Sequence, residues 1–512
     1  MTKSSAPHSF DRLLPQRRTA VAALDHWRRG QLVAQAATAF GTGDWQEAEK
    51  LCRAALEGRS DHVDALSLLG IITLQTERAM EAAALLKRAT AAAPGDATTH
   101  NLYGTALYAR KRYAEAVRSY DRALQLQPRF ALAHNNRGVA LLELSRPAEA
   151  LGCFDRAVSC QPDLAEAFNN RGNALREVKR LSEACESFDR AISLRPDYTD
   201  AFVNRGITRL LGGDYPAGWT DYEWRWRKDG VTTIHQRRGL GRPLWLGAEA
   251  LTDKTILLHS EQGLGDTLQF CRYARLVAAR GARVILEVPA PLLRLLKCVH
   301  GVSQLITPED PLPPLDCHCP LLSLPLAFRT TLESIPAATR YLESDATAVA
   351  KWQARLPTNG KVRVGLVWRG NAHCGRDAQR SIPLWQLLRH LPEGFQYISL
   401  QKDLPKDDQS LLRTHPEILG VGAELEDLAD TAALCDCLDL VVAADTGVAH
   451  LAGSLGRPTW ILLPADPDFR WLLDREDSPW YPTAKLYRQA RGGDWDQVLR
   501  RVAADLQHHM VS

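Results

Sequence analysis

Asp266 closes the turn in the stretch H-S-E-Q-G-L-G-D-T-L-Q-F, residues 259–270. Gly263 and Gly265 permit a tight, loop-forming turn after the apolar run Thr255–Leu258, and a helical pattern follows. A carboxylate at this point has two uses. It can cap the start of the helix, which aspartate does well. It can also act as a catalytic base, because a hydroxyl is a poor nucleophile until a positioned group accepts its proton. A dinucleotide fingerprint would need a third glycine, and position 268 is Leu.

A second constellation lies in L-V-V-A-A-D-T-G-V-A-H-L-A-G-S-L-G-R-P-T-W-I-L-L-P, residues 440–464, which follows the order strand, turn, helix, turn, strand. Asp445, Thr446 and Gly447 fall at the first turn, with His450 one helical turn further on. A helix start offers free N–H groups and a positive dipole end to a diphosphate. Thr446 adds a hydroxyl donor, and Gly447 lets a phosphate approach the backbone. His450 either donates to phosphate or packs its ring under the turn.

Both turns need strands and helices to hold them. Short apolar runs alternate with helical patterns from about residue 250 onward, the grammar of βαβ units. The runs predict strands at Thr255–His259, Arg283–Val288, Val362–Trp368, Tyr397–Leu400, Leu438–Ala443 and Thr459–Leu463. Helical patterns include Thr267–Ala279 and Leu384–His390. Two Rossmann-like halves joined near residues 340–360 would bring a ligand to the carboxyl ends of the strands, where both turns fall.

The first part of the chain has another rhythm. Prolines recur at Pro94, Pro128, Pro162 and Pro196, and glycines at Gly70, Gly104, Gly138, Gly172 and Gly206, always 34 residues apart. Ala82, Ala116, Ala150 and Ala184 keep the same step, with Leu86, Tyr120, Phe154 and Phe188 behind them. A 34-residue period of small residues, large apolar residues and a closing proline resembles the tetratricopeptide repeat, a helix–turn–helix unit. Counting outward gives about six units, the first near Arg29 and the last near Thr199, where Gly218 takes the place of the alanine. Asn101, Asn135 and Asn169 repeat on one face, with Asn136, Asn170 and Asn204 beside them. Such a ladder can grip an extended peptide as a partner-binding groove, or it can brace the helices locally.

Composition bounds the partners. A net charge of +3 over 512 residues gives no concentrated basic face for nucleic acid. No run of about 18 uncharged apolar residues suggests a membrane span. The eleven cysteines are scattered and odd in number, which points to reduced thiols and a cytoplasmic location. The pairs Cys317-His318-Cys319 and Cys435-Asp436-Cys437 lack the spacing of zinc ligands, and C-x-C on a strand sends both side chains to one face, so no metal is expected.

The two motifs together, G-L-G-D-T-L and D-T-G-V-A-H-L-A, resemble glycosyltransferase family 9, the heptosyltransferase-like group. The segments 427–446 and 466–482 look like those of bacterial proteins that fuse tetratricopeptide repeats to such a transferase. The resemblance implies an α-solenoid followed by a GT-B pair of Rossmann-like domains that holds a nucleotide sugar without a metal or other cofactor. It also implies Asp266 as base and transfer with inversion onto an acceptor, glycan or polypeptide. Without a metal the leaving diphosphate needs cations. Arg369 follows a strand end, and Arg380 stands where the family commonly has lysine. The expected Trp-Pro pair after it is here Ser381-Ile382-Pro383, so no particular donor sugar follows. Glu261 and Gln262 flank the first turn as candidate acceptor contacts, and Lys402 is a weaker cation.

The resulting map is a leader (1–28), a repeat array (29–225), a connector (226–250), an acceptor-side half (251–345), a nucleotide-sugar half (346–490) and a C-terminal helix (491–512). The array would recruit a protein partner or the acceptor itself. A non-catalytic scaffold with a degenerate transferase domain, and an epimerase-like enzyme acting on sugar nucleotides, are the competing readings.

Overall fold

A computed structural model describes residues 13–57, 61–227, 240–370, 380–490 and 493–509, with side chains between 27 and 508. The start of the expected leader (1–12), most of the expected connector (228–239) and the segment 371–379 lie outside the described residues. The chain divides into two compact units, one ending at Ala201 and the other beginning at Phe202.

The first unit is a succession of helix pairs. These are Leu13–Gly41 with Trp45–Leu56, Val63–Gln75 with Ala79–Ala92, Ala97–Ala109 with Tyr113–Leu126, Ala131–Glu143 with Pro147–Cys160, and Ala165–Glu177 with Leu181–Leu194. The opening helix thus starts well before Arg29. The repeating glycines are there for packing: a Cβ on Gly104 would stand 2.5 Å from the Tyr120 ring, and one on Gly138 2.6 Å from the Phe154 ring. The turn inside each pair has its own signature in the backbone. Gly43, Glu77, Lys111, Ser145, Lys179 and Gly213 all have positive φ, each 34 residues from the last. Glycine serves the two outer units, and the inner four hold an L-residue in the left-handed region at about 1 kcal/mol or more each.

The second unit begins with the final helix pair. Thr199–Leu211 crosses the boundary, and Tyr215–Tyr222 leads into the 3-10 turn Glu223–Arg227. Here Gly218 stands in the repeat's alanine position, and the aromatics around it dock on the α/β region. The Trp219 ring meets Phe270 at 6.0 Å and Phe469 at 5.7 Å. Trp480 Nε1 donates to Tyr215 Oη at 3.0 Å.

Two parallel sheets follow. The first holds β1 (Thr255–His259), β2 (Arg283–Glu287), β3 (Val302–Ile306) and β4 (Cys317–Pro320) in the order β3-β2-β1-β4. The second holds β5 (Arg363–Val367), β6 (Gln396–Ser399), β7 (Ile418–Gly420), β8 (Leu440–Ala444), β9 (Thr459–Leu463) and β10 (Ala484–Arg488), in the order β10-β9-β8-β5-β6-β7. Counted within each sheet these are the 3-2-1-4 and 3-2-1-4-5-6 orders of Rossmann-like halves, a GT-B-like pair. The order reverses between β1 and β4, and again between β5 and β8, which makes the loops after β1 and β8 the natural ligand positions. The C-terminal helix Asp496–His509 buries Val498, Leu499, Val502 and Leu506 against the second sheet. Among the described residues no helix is long and apolar enough to cross a membrane.

Candidate functional site

The loop after β1 runs into the helix Leu264–Phe270, with Gly263 just before it. Asp266 is therefore the third residue of that helix, not its cap. Its Oδ2 reaches back to accept the Gly263 N–H at 2.8 Å. Its Oδ1 accepts from Arg470, which forms an ion pair with it. The two glycines are also used differently from a simple turn. Gly263 has φ −73° and ψ 169°, a conformation open to any residue. Gly265 is required by what faces it: a Cβ there would lie 2.8 Å from His450 Cδ2 and 3.4 Å from Gly447 Cα.

What faces it is the second turn. After β8 come Asp445 and Thr446, then the helix Gly447–Ser454. The two helix starts, one from each half, abut at the strand carboxyl ends. Thr446 takes the cap position with φ −141°, yet its hydroxyl makes no capping bond. It is 7% exposed, and Oγ1 has no hydrogen-bond partner among the described residues. A buried hydroxyl without a partner costs about 1–3 kcal/mol, so a ligand oxygen that takes its bond recovers that cost.

Charge is concentrated around these turns. Arg470, in the 3-10 turn Phe469–Trp471, is 6% exposed and holds three groups at once. Its Nε donates to Gln269 Oε1 at 2.7 Å, Nη1 to Asp468 Oδ1 at 2.7 Å, and Nη2 to Asp266. Burial pushes the Asp468 carboxyl up, but Arg470 outweighs it and holds the group below its usual range. Asp445 goes the other way: burial, then the Asp468 charge, push it up to about 6, with Arg380 and Arg470 offsetting part. Arg380 Nη1 donates to the Asp445 carbonyl at 3.0 Å, which sets this cation against the second turn.

His450 belongs to the packing. Burial, reinforced by the Arg470 charge, pulls its imidazole down to about 3. Its Nδ1 shares a proton with Tyr481 Oη at 2.9 Å, and its ring stacks on Trp471 with centroids 5.3 Å apart.

Other expected members do not join the cluster. Arg369 turns its guanidinium to Asp408 at 3.5 Å, where Trp368 Nε1 also donates at 2.9 Å. Lys402 Nζ donates to the Glu426 carbonyl at 2.6 Å. Glu261 and Gln262 face the last repeat helix: Arg225 donates to both Glu261 oxygens at 2.8 and 2.9 Å, and Gln262 Nε2 to Tyr222 Oη at 2.9 Å.

In the array, Asn101, Asn135 and Asn169 are buried. Asn136 Nδ2 donates to Asn101 Oδ1 at 3.1 Å, and Asn170 Nδ2 to Asn135 Oδ1 at 3.0 Å, each bond linking one repeat to the next. These bonds describe a brace between repeats, one of the two uses open to the ladder, while Asn136 and Asn170 stay half-buried. Asn204, half-buried, lies in the second unit and its carbonyl accepts from Thr208 Oγ1 at 2.7 Å.

The sequence reading overlooked Arg470. The signal was present: D-P-D-F-R-W, residues 466–471, puts two carboxylates and a cation just after the apolar strand ending at Leu463.

Comparison with known proteins follows the same division. Tetratricopeptide repeat families match residues 39–104, 104–145 and 165–198. Glycosyltransferase family 9 (heptosyltransferase) matches residues 413–468, which include the second turn. Protein FlbA of Caulobacter vibrioides is 28% identical over 331 residues, 59% of this chain and 54% of that protein. The chain therefore spans about half the length of this relative. Among solved structures, PilF of Pseudomonas aeruginosa is 18% identical, with a TM-score of 0.36 over 42% of this chain and 98% of its own. A thermophilic tetratricopeptide protein of Thermus thermophilus is 20% identical, with a TM-score of 0.32 over 36% and 99%. The chain joins tetratricopeptide repeats to a region of the glycosyltransferase family 9 (heptosyltransferase) type.

Proposed function

We propose that the protein transfers a sugar from a nucleotide-sugar donor to an acceptor hydroxyl, and that the repeats recruit a protein partner or the acceptor. The observation that carries this reading is the meeting of the two helix starts, Leu264–Phe270 and Gly447–Ser454, at the carboxyl ends of β1 and β8. The family match at residues 413–468 supports it.

In this reading the donor diphosphate lies at the start of the helix Gly447–Ser454. The helix dipole and the Thr446 hydroxyl favour the anion there, and Arg380 stands beside the turn. The acceptor oxygen attacks the anomeric carbon, its proton passes to the Asp266 carboxylate, and the bond to the leaving phosphate oxygen breaks. Attack from the face opposite the leaving group inverts the anomeric centre. Arg380 and Arg470 supply positive charge for the leaving diphosphate, so no metal is assigned a step. The two contacts of Asp266 fix its direction.

One observation favours a second reading, a non-catalytic scaffold. Both Asp266 oxygens already have protein partners, and the two turns are in direct contact. Release of nucleoside diphosphate from a panel of nucleotide sugars separates the two. The transferase reading expects release by the wild type that Asp266→Asn lowers by about 10²–10⁴-fold. No release from any donor, with or without candidate acceptors, leaves the scaffold.

A further inference from the structure

We propose that Tyr222 and Arg225, at the end of the last repeat, are positioning residues for the turn that carries Asp266. The repeat segment thereby forms part of the acceptor side of the site. This rests on the transferase reading for its catalytic consequence.

The turn between β1 and the helix Leu264–Phe270 has little to hold it from within, since it is built on Ser260, Glu261, Gln262 and Gly263. Its two long polar side chains are both held from the repeat side. The Glu261 carboxylate, 5% exposed, accepts a two-pronged bond from Arg225, whose side chain is 10% exposed. The same carboxylate accepts the Leu322 N–H at 3.0 Å, just beyond β4. Arg225 Nη2 also donates to Ser323 Oγ at 2.8 Å, and Ser323 Oγ donates to Glu223 Oε1 at 2.8 Å. The Arg225 guanidinium lies 4.8 Å from the Tyr222 ring and 4.7 Å from the Trp226 ring.

A buried, fully bonded ion pair contributes geometry more dependably than stability. Here the geometry concerns neighbours of the proposed base: Glu261 and Gln262 lie five and four residues before Asp266, in the loop whose next residue, Gly263, donates to its carboxylate. The bond from Gln262 to Tyr222 is the last fixed point before that glycine. Loss of the Tyr222 hydroxyl releases the Gln262 side of the loop without removing any residue of the site itself.

The test uses the full chain, with Tyr222→Phe and Gln262→Leu to break the same bond from either end. Tyr215→Phe is the control, since it loses a comparable buried bond to Trp480 elsewhere. Backbone amide exchange is followed in residues 260–268 and 445–450. Both bond-breaking variants should raise exchange in 260–268 by roughly tenfold and leave 445–450 unchanged. With the nucleotide sugar that the wild type turns over, kcat should fall while the donor KM holds, a split that general destabilisation does not produce. Unchanged exchange in 260–268, or the same rise in Tyr215→Phe, overturns the proposal. If ADP, GDP, UDP, CDP and their sugars all fail to bind the wild type, the transferase reading fails, and the exchange result still decides the positioning role.

Discussion

The carboxylate of Asp266 and the guanidinium of Arg470, 204 residues apart in the chain, form an ion pair where the two Rossmann-like halves meet. Arg470 is the more buried partner, and it also holds Asp468 and Gln269. Removing Asp266 therefore leaves a buried cation short of a partner, while Asp266→Asn keeps the shape and loses the charge. Arg470→Ala should destabilise the second unit by about 1–3 kcal/mol, since it removes a buried cation bonded to three groups but leaves carboxylates that are only partly buried. Denaturant titration of this variant beside Asp266→Asn checks the order, with Arg470→Ala the worse of the two.

The pair Asp445 and His450 predicts an unusual pH response. The Asp445 carboxyl is raised from 3.8 to about 6, so the native state holds its proton more tightly than the unfolded chain does. Its contribution to stability is then lost as pH rises from about 4 to 6. The His450 imidazole is lowered from 6.5 to about 3, so the unfolded chain takes up the proton first and stability is lost as pH falls through that range. The two trends oppose each other between about pH 4 and 6. In Asp445→Asn only the histidine trend remains. The variant should match the wild type near pH 4 and exceed it by about 2–3 kcal/mol at pH 7.5. Urea titrations at the two pH values read this directly.

The repeat turns offer a cleaner stability test. Lys111 is exposed and has φ 59°, in register with Gly43 and Gly213 at φ 82° and 89°. Lys111→Gly removes the left-handed penalty at the cost of a looser unfolded chain, for a net gain of about 0.5–1 kcal/mol. Lys111→Val should lose stability instead. Thermal melts of the three proteins decide it.

The packing glycines should respond in the opposite sense. With a Cβ only 2.5 Å from the Tyr120 ring, Gly104→Ala forces the ring or the helix to move. A loss of about 1–3 kcal/mol is expected, and Gly104→Ala combined with Tyr120→Leu should recover part of it.

Much of this fold was legible because its central elements have a strict pattern. The 34-residue step of glycine, alanine and proline marked the helix pairs, and β1 and β9 fell on the expected residues, Thr255–His259 and Thr459–Leu463. The strands that the apolar runs do not mark are β3, β4, β7 and β10, and each lies at a sheet edge. Polar residues in V-S-Q-L-I and A-K-L-Y-R, and the histidine and proline of C-H-C-P, break the apolar run there. In the site, the two glycine turns were visible from spacing, but Arg470 was not, since an arginine between aromatic residues also describes ordinary surface packing. The asparagine ladder leaves two uses open in the sequence for a related reason: composition gives the hydrogen-bonding capacity of Asn135 and Asn170, and only the stacking of repeats shows that they bond to each other.

Binding of nucleoside diphosphates to the wild type, Thr446→Val and Arg380→Ala, measured by thermal shift, tests the central claim most directly. At 100-fold excess over Kd a bound ligand adds about 2.7 kcal/mol of stability. A diphosphate at the second turn should raise the wild-type Tm, raise that of Thr446→Val less, and leave Arg380→Ala unmoved. Equal shifts in all three proteins would place the ligand elsewhere, and no shift in the wild type with any nucleotide or nucleotide sugar would contradict the transferase reading.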